Sequence, residues 1–229
     1  MPGGQFRQAC VPPHKQLLAH AVVYYANMCK KYGVDMVYNT KADRAAVDAY
    51  GPDVVVLATG GVPLEPASIP GLKEAGCINN REILAGRVAP GKKVLMLGGG
   101  LHGAETADFM GEHGYDVTVI EMRDTIAVQD HPATQKLLVE RLLSHGTKLI
   151  TSATVKHVYP DGVDYEKDGQ LVHLDGFDCV VSAFGFRSWN PLEEQLKDFG
   201  GKLVVLGDAD KASNGLDAIY HGTMLGLEL

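Results

Sequence analysis

The segment Val94-Leu95-Met96-Leu97-Gly98-Gly99-Gly100-Leu101-His102-Gly103 constrains what this chain can fold into more than any other. An apolar run ending at Leu97 reads as a strand, and Gly103, Ala104, Ala107 and Met110 then recur at helical spacing. A strand that turns into a helix through G-x-G-x-x-G opens a βαβ unit. Gly98 permits the tight turn, Gly100 lets a pyrophosphate approach the backbone, and Gly103 lets helix and strand pack closely. Backbone N–H groups at the start of the helix, with the positive end of its dipole, then face the phosphates, and Leu101 and His102 join the cofactor-binding set.

The surroundings agree with this reading. Gly111 to Gly114 stop the helix, Tyr115 to Ile120 reads as a second strand, and Glu121 closes it 23 positions after Gly98. That is close to the ~20 expected for a carboxylate that accepts hydrogen bonds from the adenosine ribose hydroxyls. The spacing favours NAD(H). Arg123 could partly offset the repulsion between Glu121 and a 2′-phosphate, so NADP(H) stays open. The plainer alternative is a glycine turn in an α/β sheet with an ordinary surface glutamate.

Composition narrows the class. With 229 residues and 45% hydrophobic content, the chain can bury a substantial core and hold two small lobes. The balance of 21 Lys+Arg against 28 Asp+Glu, a formal charge of −7 without a basic cluster, makes nucleic acid and anionic membranes poor partners. No stretch approaches the ~18 continuous apolar residues of a membrane span, and the first residues lack signal-peptide character, so a cytoplasmic location is expected. Cys10, Cys29, Cys77 and Cys179 are scattered, without a C-x-x-C pair or histidines at ligand spacing. A zinc site or a redox disulfide is therefore not expected, and no metal ligands are assigned.

Along the chain, a helix is expected from His14 to about Tyr32, followed by a short strand from Val34 to Tyr38 and a buried strand from Asp53 to Leu57 that ends in Ala58-Thr59-Gly60-Gly61. Pro63, Pro66 and Ile69-Pro70-Gly71 read as a stiff, extended crossing. After the βαβ core come a helix carrying Leu138 and Leu142, a strand from Thr147 to Thr151, and three short strands, the last two joined by the turn Lys167-Asp168-Gly169. The apolar run from Asp178 returns to Gly185, a last strand from Lys202 meets Gly207-Asp208-Ala209, and a helix with Ala218, Ile219 and Gly222 closes the sequence.

Taken in order, Gly3-Gly4-Gln5, Ile69-Pro70-Gly71, Ile83-Leu84-Ala85-Gly86, Gly103-Ala104-Glu105-Thr106-Ala107 and Gly207-Asp208-Ala209 resemble the C-terminal region of NADH:flavin oxidoreductases. The likeness is to the 2,4-dienoyl-CoA reductase and trimethylamine dehydrogenase type, flavoproteins with two dinucleotide-binding domains. It implies an α/β fold: a Rossmann-like NAD(P)-binding domain with a parallel sheet and a three-stranded β-meander, inserted in a partial FAD-binding-type domain. The segments would be 1–70 and 177–229 on the FAD side and 71–176 for NAD(H).

By that resemblance, Gly207, Asp208 and Ala209 would meet FAD, Asp208 accepting from hydroxyls, and Thr59 and Gly60 would pass near its phosphates or the hinge. Gly185, ending the returning strand, joins the cofactor-binding set. Glu105 would lie towards the nicotinamide amide. The plain alternatives are an exposed helical acid for Glu105 and a turn or N-cap residue for Asp208. In the family, an FAD-side G-x-G-x-x-G strand, its helix and a ribose-binding glutamate precede Gly-Gly-Gln. Also expected upstream are an FMN barrel with the substrate pocket and cysteines for a [4Fe-4S] cluster. The chain is thus expected to be part of a larger enzyme that passes hydride from NADH to flavin, with no catalytic residue of its own and weak or absent FAD binding in isolation. NADH and the barrel domain are the expected partners, with a homodimer covering unpaired strand edges. A non-catalytic ADP- or NAD-binding module is the competing reading.

Overall fold

The computed structural model describes residues 2–229. In chain order the helices are α1 (Phe6–Ala9), α2 (Ala19–Lys31), α3 (Arg44–Tyr50), α4 (Asn80–Leu84), α5 (Leu101–Glu112), α6 (Pro132–Ser144) and α7 (Gly215–Glu228). The strands are β1 (Val54–Leu57), β2 (Gly61–Pro63), β3 (Ile78–Asn79), β4 (Lys93–Leu97), β5 (Asp116–Ile120), β6 (Lys148–Ile150), β7 (Thr154–Tyr159), β8 (Gly162–Lys167), β9 (Gln170–Leu174), β10 (Cys179–Ser182), β11 (Phe186–Ser188) and β12 (Lys202–Val205). The chain divides into two compact units. One comprises residues 2–6, Ala19–Val62 and Phe186–Leu229, the other Arg7–Leu18 and Pro63–Gly185.

The second unit is the expected α/β arrangement. Its parallel sheet has the order β3-β10-β4-β5-β6, and β7, β8 and β9 form the antiparallel meander. Strand β4 sits centrally, and its side chains alternate between two cores. Val94 and Met96 pack with Ala104, Ala107 and Met110 of α5 and Leu138 and Leu142 of α6. Leu95 and Leu97 face the meander residues Val158, Val163 and Tyr165. Both faces of β4 are covered, which is why its sequence is continuously apolar rather than alternating.

In the first unit, β1 and β12 pair in parallel from Val54↔Lys202 to Leu57↔Val205. Leu57, Leu192 and Leu196 form its small core, against which Val47, Val55 and Leu203 pack. Several expectations need correction here. The helix does not begin at His14, whose φ of +66° breaks a regular helix; a 3-10 turn at Gln16–Leu18 precedes α2. No residue of α2 is buried, and Leu17 is 76% exposed. Val34 to Tyr38 makes no ladder, because extended residues become a strand only beside another strand. Strand β1 forms but is not fully buried: with β12 as its one neighbour, Val56 stays 39% exposed.

Two further differences are local. Residues 63–71 are not extended throughout. From Ala67 the chain turns repeatedly, burying Leu72, while Val158 N–H donates to the Pro70 carbonyl. Helix α3 is absent from the expectation above, although its signals are present: Asp43 caps the Ala46 N–H at 2.9 Å, and Gly51 closes the helix with φ of 59°.

Candidate functional site

The glycine turn joins the C-terminal end of β4 to the N-terminus of α5. Gly98 has φ of 102°, and a Cβ on it would lie 2.6 Å from the Ala183 carbonyl oxygen. A Cβ on Gly103 would overlap the Gly98 carbonyl oxygen and come 3.1 Å from the Ala183 Cβ. Both positions exclude any side chain, so α5 can start directly against the strand ends. Gly100 is different: the nearest atoms to a Cβ there belong to the tip of the Gln129 side chain, at 3.4 Å and beyond, and not to packed backbone.

This turn forms part of the wall of a cavity of about 600 Å³ within the second unit. Gly98, Gly100, Leu101, His102, Glu121, Arg123 and Gly185 all line it. Its apolar walls come from Leu64 and Ile69 before the sheet and from Ala153, Val155 and Phe184. The volume lies within the ~300–1,000 Å³ usual for small-molecule and cofactor sites.

Glu121 is not an ordinary surface acid. It is 8% exposed, its Oε2 accepts from the Gly99 N–H at 2.7 Å, and its Oε1 accepts from the Arg123 N–H at 2.9 Å. The carboxylate thereby ties the end of β5 to the glycine turn. Each oxygen retains a lone pair, so two further donors such as vicinal hydroxyls could be accepted.

Glu105 does not line the cavity. One turn beyond Leu101, its side chain is 14% exposed and forms a 2.6 Å ion pair with Lys15. It is therefore not the exposed helical acid of the plain alternative. Burial pushes its carboxyl above the usual range, and the Lys15 ammonium opposes that rise. Gly103 is likewise outside the cavity, held against Gly98.

The remaining expected residues belong to the first unit. Thr59 Oγ1 donates to the Trp189 carbonyl at 2.5 Å, and the Gly60 carbonyl accepts from the Trp189 N–H. Asp208 lies in the 3-10 turn Gly207–Ala209 and accepts from the Ser213 N–H at 3.0 Å, so it does have a turn-stabilising role. Its Oδ2 receives only a long 3.4 Å contact from Gln5 Nε2, which also reaches the Gly61 carbonyl. Gln5 thus brings the early Gly-Gly-Gln motif, the start of β2 and the Gly-Asp-Ala turn together across the sequence.

Sequence reasoning missed Gln129, Lys15, Met122 and Lys156. Gln129 Oε1 accepts from the Leu101 N–H at 3.1 Å, and Met122 and Lys156 line the cavity. Met122 directly follows Glu121, whereas no local pattern marks the others: Gln129 comes from the β5–α6 loop, Lys156 from the meander and Lys15 from the segment before α2. None of the four cysteines is in a disulfide, and burial raises the Cys77 thiol to about 11.

A parallel sheet with a glycine turn at its strand ends and an acid closing the next strand is a nucleotide-binding fold. The chain belongs to the pyridine nucleotide-disulphide oxidoreductase family, whose model matches residues 14–208. It is 33% identical over 214 residues to a bilirubin reductase of Mediterraneibacter gnavus, covering 91% of this chain and 32% of the relative. With an NADH oxidase of Thermoanaerobacter brockii it shares 30% identity over 224 residues, 96% of this chain and 34% of that protein. The solved complex of 2-naphthoyl-CoA reductase with 2-naphthoyl-CoA superposes with a TM-score of 0.93 at 28% identity, over 99% of this chain and 34% of that one. The chain thus spans about a third of the length of these relatives. The expected likeness to NADH:flavin oxidoreductases of the 2,4-dienoyl-CoA reductase type accords with these matches. Among the described residues, no helix is long and apolar enough to cross a membrane.

Proposed function

We propose that this chain is the pyridine-nucleotide-binding portion of a cytoplasmic flavin-dependent oxidoreductase that passes hydride from NADH to flavin. Residues 71–176 are the NAD(H)-binding domain in this reading, and 1–70 with 177–229 supply the FAD-binding-type domain. One observation carries it: the backbone at Gly98–Leu101 and the buried carboxylate of Glu121 line the same cavity. A diphosphate suits the amides at the start of α5, and ribose hydroxyls suit the two oxygens of Glu121. At Gly100 the close approach meets the tip of the Gln129 side chain and no packed backbone.

When bound, reduced nicotinamide supplies the hydride and flavin accepts it. The chain's own residues bind and orient. Gly98 and Gly103 keep α5 close to the strand ends, so its N–H groups are aimed before any ligand arrives. Glu105, fixed by Lys15, lies outside the cavity lining, so its part in orienting the nicotinamide amide requires the dinucleotide to extend beyond the cavity along α5. On the flavin side, Asp208 Oδ2 has acceptor capacity left for a hydroxyl, and Gln5 holds it beside Gly60 and Gly61. Glu121 disfavours a 2′-phosphate, so NADH is preferred over NADPH despite Arg123.

The names of the relatives differ, bilirubin in one and a naphthoyl thioester in another, while this chain spans about a third of each. In this reading, acceptor choice rests with a further domain, such as an FMN-bearing barrel. Exposed Tyr24, Leu216, Tyr220 and Leu227 in the first unit support its association with such a domain or with a second copy. Calorimetric titration with ADP, NADH and NADPH tests the reading. Binding of ADP and NADH, with NADPH at least about tenfold weaker, is expected. Absence of binding by all three would remove the proposal.

A further inference from the structure

The loop between β5 and α6 lies across the glycine turn. Ile126 is 2% exposed, and its Cδ1 stands 2.5 Å from where a Cβ on Gly99 would be. A side chain on the middle glycine of the turn would thus push against this strap, independently of any ligand. The Ala127 N–H donates to the Gly99 carbonyl at 2.8 Å, and Gln135 Nε2 donates to the Ile126 carbonyl at 2.6 Å. Two positions after Ala127, the exposed side chain of Gln129 reaches back to the turn. Its Oε1 accepts from the Leu101 N–H at 3.1 Å, and its Nε2 is the nearest atom to a Cβ built on Gly100, at 3.4 Å.

Leu101 is the first residue of α5, so its N–H has no partner within the helix. It is one of the donors that a phosphate oxygen would take at a helix N-terminus. The Gln129 amide oxygen stands at that donor and covers the one glycine whose backbone is otherwise open. We propose that Gln129 sets the affinity of this site for diphosphates by competing with them for the Leu101 N–H. This rests on reading the cavity as a dinucleotide site. The strap is anchored through Ile126 and Ala127, not through Gln129, so the side chain can leave by changing rotamer while the loop stays in place. A ligand that brings a diphosphate must displace it; one that brings only a nucleoside need not.

The test is calorimetry of the full chain and its Gln129→Ala and Gln129→Asn variants with ADP, NADH and adenosine. The apparent dissociation constant of a site equals its intrinsic value divided by the competent fraction. Releasing one modest hydrogen bond should therefore tighten ADP and NADH about three- to tenfold in both variants, with adenosine unchanged. Gln129→Glu, which adds a carboxylate at the positive end of α5, should weaken ADP by more than about tenfold. The Leu101 amide resonance should move in the alanine variant without ligand. Equal or weaker ADP binding by Gln129→Ala would overturn the role of Gln129 while leaving the nucleotide site intact. No ADP binding by any of the proteins would overturn both.

Discussion

Replacing Glu121 with Gln should destabilise the protein before any ligand is added. The carboxylate accepts two backbone N–H groups, from Gly99 at 2.7 Å and from Arg123 at 2.9 Å, in a setting that is 8% exposed. A carboxamide has one oxygen and one NH₂ group, so one of these N–H groups would face another donor. A charge-assisted bond contributing about 1.5–3 kcal/mol is then lost, and the other weakens to the neutral range of about 0.5–1.5 kcal/mol. The amide is cheaper to bury than an ionised carboxylate, which returns part of the loss. A net cost of about 1–2 kcal/mol follows, which for a chain of this size lowers the melting temperature by about 2–8 °C. Differential scanning calorimetry of wild type and Glu121→Gln, without nucleotide, reads this directly. A variant that melts at or above wild type would refute the claim that Glu121 anchors the glycine turn. Weakened ADP binding by that same variant would then still be consistent with a ribose-binding role.

Other outcomes follow from the same contacts. Gly103→Ala should cost about 1–3 kcal/mol in urea unfolding, because its Cβ would overlap the Gly98 carbonyl and outweigh the ~1 kcal/mol gain in helix propensity; a raised urea midpoint would contradict this. Arg141 donates twice to Asp108, which is 1% exposed, so Arg141→Ala leaves a buried carboxylate with only His145 at 3.6 Å and should cost about 3 kcal/mol. Asp108→Asn should cost less, since the freed Arg141 can turn to water, and the reverse order by chemical denaturation would refute the argument. Lys15→Met should push the Glu105 carboxyl further up, since burial would act unopposed, and carbon-13 NMR of the side chain reads its midpoint. With a raised folded value, the Glu105 contribution to stability is fully present below the ordinary carboxylate range and is lost as pH rises through that value, so this loss should move to higher pH in the variant. An unchanged or lowered midpoint would refute the pairing.

Much of the second unit is legible in the sequence because its signals are local. The run from Val94 to Leu97 is apolar at every position since both faces of β4 are covered, and the glycines that follow mark a turn whose sterics allow little else. The placement of Glu121 followed from counting along a βαβ unit. The first unit was harder to read. Val34 to Tyr38 has the residues of a strand but no neighbouring strand, and α2 has apolar positions at helical spacing that the described chain leaves exposed. Periodicity reports what a segment could bury, not whether a partner is present to cover it.

The sequence alone determined the order of elements around the glycine turn and the type of ligand its geometry suits, because backbone sterics and helix ends act over a few residues. Tertiary structure alone decided that Glu105 is fixed by Lys15, 90 positions away, that Gln5 links Gly61 to Asp208, and that Gln129 lies over the start of α5. Such contacts join residues with no shared local pattern. They exist only after burial of Ile126 and the two faces of β4 in the second unit, and of Leu57, Leu192 and Leu196 in the first, has brought distant loops within hydrogen-bond reach.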